Sequence, residues 1–124
     1  MRIERGASPE VHALLPDVIA TIQPRLRSPY NDLAVPIKVM EYLSYGRPLI
    51  VTNCTEQARI VNDAGAGLVV EDTIPAMAAG IRRLLSADER QIGQWSGNAL
   101  AAAAASSWRR RAERVIHTLT QVRA

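Results

Sequence analysis

Lys38 and Glu41 stand three residues apart and Tyr45 follows four later, so a helix through them carries an ammonium, a carboxylate and a phenol on one side. Pro36 fits the first position of that helix, where no N–H is missed. Such a start presents free backbone N–H groups and the positive end of the helix dipole to an anion, and Lys38, the only lysine, could add a charge. The bland account of Lys38 and Glu41 is a solvated pair worth a few tenths of a kcal/mol. Asn31 and Asp32 form a second polar pair just upstream. Other chemistries lack their parts. Cys54 is the single cysteine, which leaves neither an intramolecular disulfide nor a cysteine-based zinc site. His12 and His117 lie far apart without an accompanying carboxylate pattern, and neither reads as a catalytic base. No glycine-rich GxGxxG or Walker-type phosphate loop occurs.

The elements that must position these residues alternate between strand and helix. Ser8 and Pro9 open a helix that Pro16 stops, and the β-branched run Val18 to Ile22 suits a strand covered on both faces. Residues 25–35 read as a polar loop. The helix from Pro36 ends at a left-handed cap on Gly46, with Ile37, Met40, Leu43 and Ser44 on one side and Lys38, Glu41, Tyr42 and Tyr45 on the other. Pro48 to Thr52 is a second strand, Thr55 to about Asn62 a helix, and Gly67 to Val70 a third strand. Polar residues Thr52, Asn53 and Cys54 are placed to cap the helix after them. From Pro75 onward the pattern is helical. Ser86 and Glu89 are spaced as a capping box, Gly97 interrupts the following helix, and a last helix carries Trp108, Val115, Ile116 and Leu119 as a stripe expected to pack on the domain. Arg109, Arg110, Arg111 and Arg114 form its solvated side.

The fold class is therefore α/β: a Rossmann-like, three-layer parallel sheet with a helical C-terminal extension, residues 1–71 forming the α/β portion and residues 72–124 the helical portion. The 124 residues, 48% of them apolar and 22% charged, suit one compact domain, and a formal net charge of +3 is far from that of a nucleic-acid-binding tail. No apolar run at the start reads as a signal peptide and none has the length of a membrane span, so a reduced, cytoplasmic setting is expected.

The run Pro36-Ile-Lys-Val-Met-Glu41-Tyr-Leu-Ser-Tyr-Gly46-Arg-Pro-Leu-Ile-Val-Thr52 resembles the segment P-x-K-x-x-E-Y-x-x-x-G-x-P-[LIV]-[IV]-x-[ST] of retaining glycosyltransferases with the two-domain GT-B fold, the group 1 or glycogen-synthase-like family. Further resemblances follow in order: Pro24 after an apolar strand, Gly65 and Gly67 before the third strand, Leu84 and Leu85 closing a helix, and Ser107-Trp108 opening the last one. The resemblance implies the second half of the C-terminal, donor-binding domain, with an acceptor-binding domain supplied elsewhere or by a partner chain, and a chain inactive alone. It implies that Glu41 accepts hydrogen bonds from the ribose of a nucleotide sugar (UDP-, GDP- or ADP-linked), and that Ile37 and Lys38 at the helix start meet its diphosphate. It further implies metal-free hexosyl transfer to a saccharide or lipid-linked acceptor, in bacterial envelope polysaccharide synthesis. Leu33 occupies the position of the first glutamate of the family's E-x7-E pair, and Asn31 and Asp32 beside it could contact sugar hydroxyls instead. A non-catalytic Rossmann-like module, or one subunit of a split enzyme, is the alternative. With half a sheet missing, the Val18 to Ile22 strand becomes an edge open to self-association.

Overall fold

The computed structural model describes residues 8–122. Three parallel strands, β1 (Thr21–Gln23), β2 (Leu49–Thr52) and β3 (Gly67–Val70), lie in the order β1-β2-β3. Thr21 pairs with Leu49, and Leu49 with Gly67, so each strand begins at the same level. Before them runs α1 (Ser8–Leu14), between them α2 (Pro29–Leu33), α3 (Ile37–Ser44) and α4 (Thr55–Ala64), and after them α5 (Ile74–Leu85), α6 (Glu89–Ala105) and α7 (Trp108–Val122).

The central strand explains the layering. All four residues of β2 are buried, and the alternation of a strand sends Leu49 and Val51 to one face and Ile50 to the other. Leu49 and Val51 meet Val39 and Leu43 of α3, Val61 of α4 and Ala99 of α6. Ile50 joins Leu68 and Leu84, with Met77 and Ile81 of α5 around them. The long α6 serves both layers: Ile92 and Trp95 reach the second cluster, and Ala99, Ala102 and Ala103 the first. Its alanine run leaves little side chain between the α6 and α3 backbones, which lets them approach closely. The α/β architecture expected from the sequence is present.

Several local expectations are corrected. Residues 15–17 form a 3-10 turn and β1 starts only at Thr21. Ile19 is 56% and Ile22 38% exposed, so this strand is short and open on one face rather than covered on both; it does lie at the sheet edge. The expected loop contains α2, because the Ser28 side chain accepts from the Asn31 N–H and Pro29 presets the first turn. Gly97 does not interrupt α6. The cap of α6 is Asp88, accepting from the Gln91 N–H at 2.7 Å, while Ser86 ends α5, so no capping box forms. The stripe on α7 does not pack on the domain: that helix has no buried residue, and Trp108 is 82% exposed. Thr52, Asn53 and Cys54 give no side-chain cap to α4 either. No helix among the described residues is long and apolar enough to cross a membrane.

Candidate functional site

In a parallel sheet joined by helical crossovers, each crossover helix starts above the C-terminal ends of the strands, where open α/β sheets take their ligands. The starts of α3 and α4 are at that end here. They differ in one respect. Asp32 reaches across from α2 and accepts the Thr55 N–H at the head of α4 at 3.0 Å. Side chains likewise cap α2, α5 and α6, and Ser107 accepts from Arg110 at the head of α7. The N-cap of α3 is Pro36, and no side chain caps that helix. By helix geometry its first amides, those of Ile37 and Lys38, lack intrahelical partners and remain available to an anion.

The helix is held by Val39 and Leu43, both fully buried, with Met40 packed beside them. This corrects the face expected from the sequence, because Ile37 is 83% exposed and Ser44 is also exposed. Ile37 lies in the first turn and projects past the core, so only its backbone is placed for a binding role. At the far end Gly46 adopts φ 63°, and a Cβ there would lie 2.9 Å from Leu100 Cγ, so glycine serves both the left-handed turn and the contact with α6.

On the outer flank of α3, Lys38 Nζ lies 2.8 Å from Glu41 Oε2, and the Tyr45 hydroxyl donates to Glu41 Oε1. His12 Nε2 of α1 lies 3.2 Å from the same hydroxyl, the two rings meeting edge to face at 5.3 Å between centroids. Lys38, and then Tyr45, hold the Glu41 carboxyl below its ordinary pKa. The Lys38 ammonium is raised by its bond to Glu41, and that carboxylate pushes the Tyr45 phenol up to about 12. The result is a half-buried carboxylate with both oxygens already engaged, each retaining a lone pair for a further donor. The joining of Lys38 to Glu41 agrees with their spacing. Tyr45 was legible as part of the same face but carried no assigned role, and His12, 33 residues from Tyr45, gave no signal in the sequence.

Asn31 and Asp32 are not brought to this set. The Asn31 amide donates to the Leu26 carbonyl at 2.7 Å and accepts from Arg25, and Asp32 pairs with Arg27 at 3.0 Å while holding α4. Below that loop lies a buried polar knot. The Thr52 hydroxyl donates to the Arg25 carbonyl, and Gln57 Nε2 donates to the Thr52 hydroxyl at 2.8 Å and to its carbonyl at 2.9 Å. Thr52 thus ties the loop after β1 to the end of β2, a role its position after a strand did not reveal. Arg27, followed by the Thr55 N–H, lowers the Asp32 pKa. A lowered carboxyl pKa stabilises the fold above the unfolded value, and that stabilisation is lost as pH falls through the folded one. Thermal melts at pH 6 and pH 3 should therefore show a smaller acid-induced drop for Asp32→Asn than for the wild type, with the unfolded reference near pH 4. An equal drop in both would remove Asp32 from the acid-sensitive set.

A groove of about 910 Å³ lies on the opposite flank of α3, between α4, α6 and α7, with Met40, Ile60 and Trp108 on its walls. Its lining is largely aliphatic and contains neither Lys38 nor Glu41. Among the described residues no group of three or more His, Cys, Asp or Glu is placed to hold a metal ion.

The parallel sheet with its flanking helices agrees with the comparison of the chain with known families. No curated protein matches the chain. Residues 5–87, more than half of its length and including the whole sheet and α1 to α5, match the family model described as Glycosyl transferases group 1, and the chain belongs to that family.

Proposed function

We propose that the protein is the donor-binding portion of a hexosyltransferase and that it holds a nucleotide sugar at the start of α3. The supporting observation is the one helix start from α2 to α7 without a side-chain cap, beside an ionised glutamate, in a chain of this family. In this reading the Glu41 carboxylate accepts the two ribose hydroxyls. The amides of Ile37 and Lys38 and the Lys38 ammonium meet the diphosphate, whose negative charge grows as the sugar C1–O bond breaks; fixed positive charge aimed there lowers the barrier without a metal. Asn31 and Asp32 sit on α2, just before that start, and they would meet the sugar only through lone pairs and protons not used in bracing the segment.

The acceptor side rests on the family resemblance: a saccharide or lipid-linked acceptor in envelope polysaccharide assembly, used in the cytoplasm or at the inner face of the membrane. It would be supplied by an acceptor-binding domain or partner chain, without which these residues bind donor but do not turn over. Calorimetric titration with UDP-, GDP- and ADP-sugars tests the donor site. Saturable binding by the wild type and binding at least about tenfold weaker by Glu41→Ala are expected, since a hydrogen bond to a charged group is worth roughly 1.5–3 kcal/mol. Equal affinity of the two proteins would remove Glu41 from the site.

A further inference from the structure

We propose that Tyr45 is a positioning residue for this donor site: with Lys38 on one oxygen of Glu41 and the Tyr45 hydroxyl on the other, the carboxylate is fixed to receive a cis-diol, and the site thereby selects ribonucleotides over 2′-deoxyribonucleotides. The inference rests on the donor-site reading above and adds to it the residue that sets its sugar preference.

The argument begins with the glutamate. Its side chain has three torsions and would sample many orientations on a helix surface, so two hydroxyls could engage it only after it was ordered. Lys38 lies one turn before it and Tyr45 one turn after, at 2.8 Å from Oε2 and in a hydrogen bond to Oε1 respectively. Bonds from both directions along the helix fix the carboxylate. The protons can be followed one by one. An ionised carboxylate only accepts, so the single phenolic proton of Tyr45 points to Glu41. The contact between His12 Nε2 and the Tyr45 oxygen, at 3.2 Å, must then be a donation from the histidine, which holds its proton on Nε2. His12 thus orients the phenol from α1, and Tyr45 orients the carboxylate from the end of α3. Tyr45 also tilts against Tyr42, with 6.1 Å between ring centroids, which further limits its rotation. Of these residues only Tyr42 packs against the hydrophobic core; His12 is exposed, and Tyr45 and Glu41 are half-buried.

The test compares the full chain with Tyr45→Phe, Glu41→Gln and His12→Ala, titrating UDP, GDP and ADP and then their 2′-deoxy forms. The wild type should prefer the ribonucleotide, and Tyr45→Phe should bind it on the order of tenfold more weakly while its affinity for the deoxy form changes little. His12→Ala should move the same ratio in the same direction by a smaller factor. A purely structural tyrosine would weaken both forms alike. A second readout needs no ligand: the ultraviolet titration of the wild type less that of Tyr45→Phe should place this phenol at about 12, and in Glu41→Gln it should return toward the ordinary tyrosine value. If Glu41→Gln loses the ribose preference and Tyr45→Phe keeps it, the role of Tyr45 is overturned and the donor site stands. If Glu41→Gln keeps it, or if no nucleotide binds the wild type, the donor-site reading fails and the inference falls with it. Equal affinity of the wild type for ribo and deoxy forms overturns the selectivity directly.

Discussion

Gly67→Ala is expected to remove much or all of the fold's stability at 25 °C. A Cβ on Gly67 would lie 1.9 Å from the Leu49 carbonyl oxygen and 2.6 Å from its nitrogen, and both atoms belong to the backbone of the central strand. A rotamer change cannot relieve that contact; β3 would have to move away from β2, where Gly67 pairs with Leu49. The displacement would also pull on the Leu49 N–H bond to the Ala66 carbonyl, 3.0 Å long, and open the layer in which Leu49 and Ala66 are fully buried. A cost above about 4 kcal/mol is the class of effect that backbone strain and lost packing produce together, against a total stability of roughly 5–15 kcal/mol. Far-ultraviolet circular dichroism and urea unfolding measure it. Gly93→Ala provides the contrast, because a Cβ there meets nothing within 4 Å and a helix interior gains roughly 0.5–1 kcal/mol from alanine. Wild-type stability in Gly67→Ala would mean that β3 does not pair with β2 in this register.

Strands β2 and β3 and the helices flanking them were legible because their signals are local. Leu49 to Thr52 is an uninterrupted apolar run closed by polar residues, and Gly46 and Gly65 end the helices beside it. The start of α3 was legible to within one residue: Pro36, read as the first helical position, is the N-cap, and α3 begins at Ile37. The errors share a different cause. Val18 to Ile22 has strong β-propensity, yet with nothing paired along its outer edge only Thr21–Gln23 stays in the ladder; propensity gave way to the lack of a neighbour. For α3, a periodicity over eight residues allowed the buried face to be set one position off, and the contact with α6 decided for Val39 over Ile37. The α7 stripe was read as core because it is amphipathic, but amphipathicity states only that a face could be covered. In the candidate site, Lys38 and Glu41 follow from spacing within one helix. The bond from His12 to Tyr45 and the Asp32 cap on α4 join elements distant in sequence, and only the folded chain brings them together.

Leu43→Ala is expected to cost about 2–5 kcal/mol, the range for removing a fully buried leucine from a core that relaxes incompletely. The loss should extend beyond stability. With eight residues α3 is too short to hold its own helical shape in water, so Val39 and Leu43 are what keep Lys38 and Glu41 on a fixed flank. Weakening that anchor should lower the thermal midpoint and, in the fraction still folded, weaken nucleotide binding through both Lys38 and Glu41. Ile37→Ala separates this account from its alternative. Ile37 begins the same helix and is 83% exposed, so its truncation should change stability by no more than about 0.5 kcal/mol. If α3 were rotated to the face of Ile37, Met40, Leu43 and Ser44, Ile37→Ala would instead carry a core-sized cost beside that of Leu43→Ala. Glu41, at 40° from Ile37 around an ideal helix, would then turn toward the core. Urea midpoints of the two variants therefore test the packing of α3 and the outward placement of its carboxylate in one experiment, because a rigid helix cannot rotate one flank without the other.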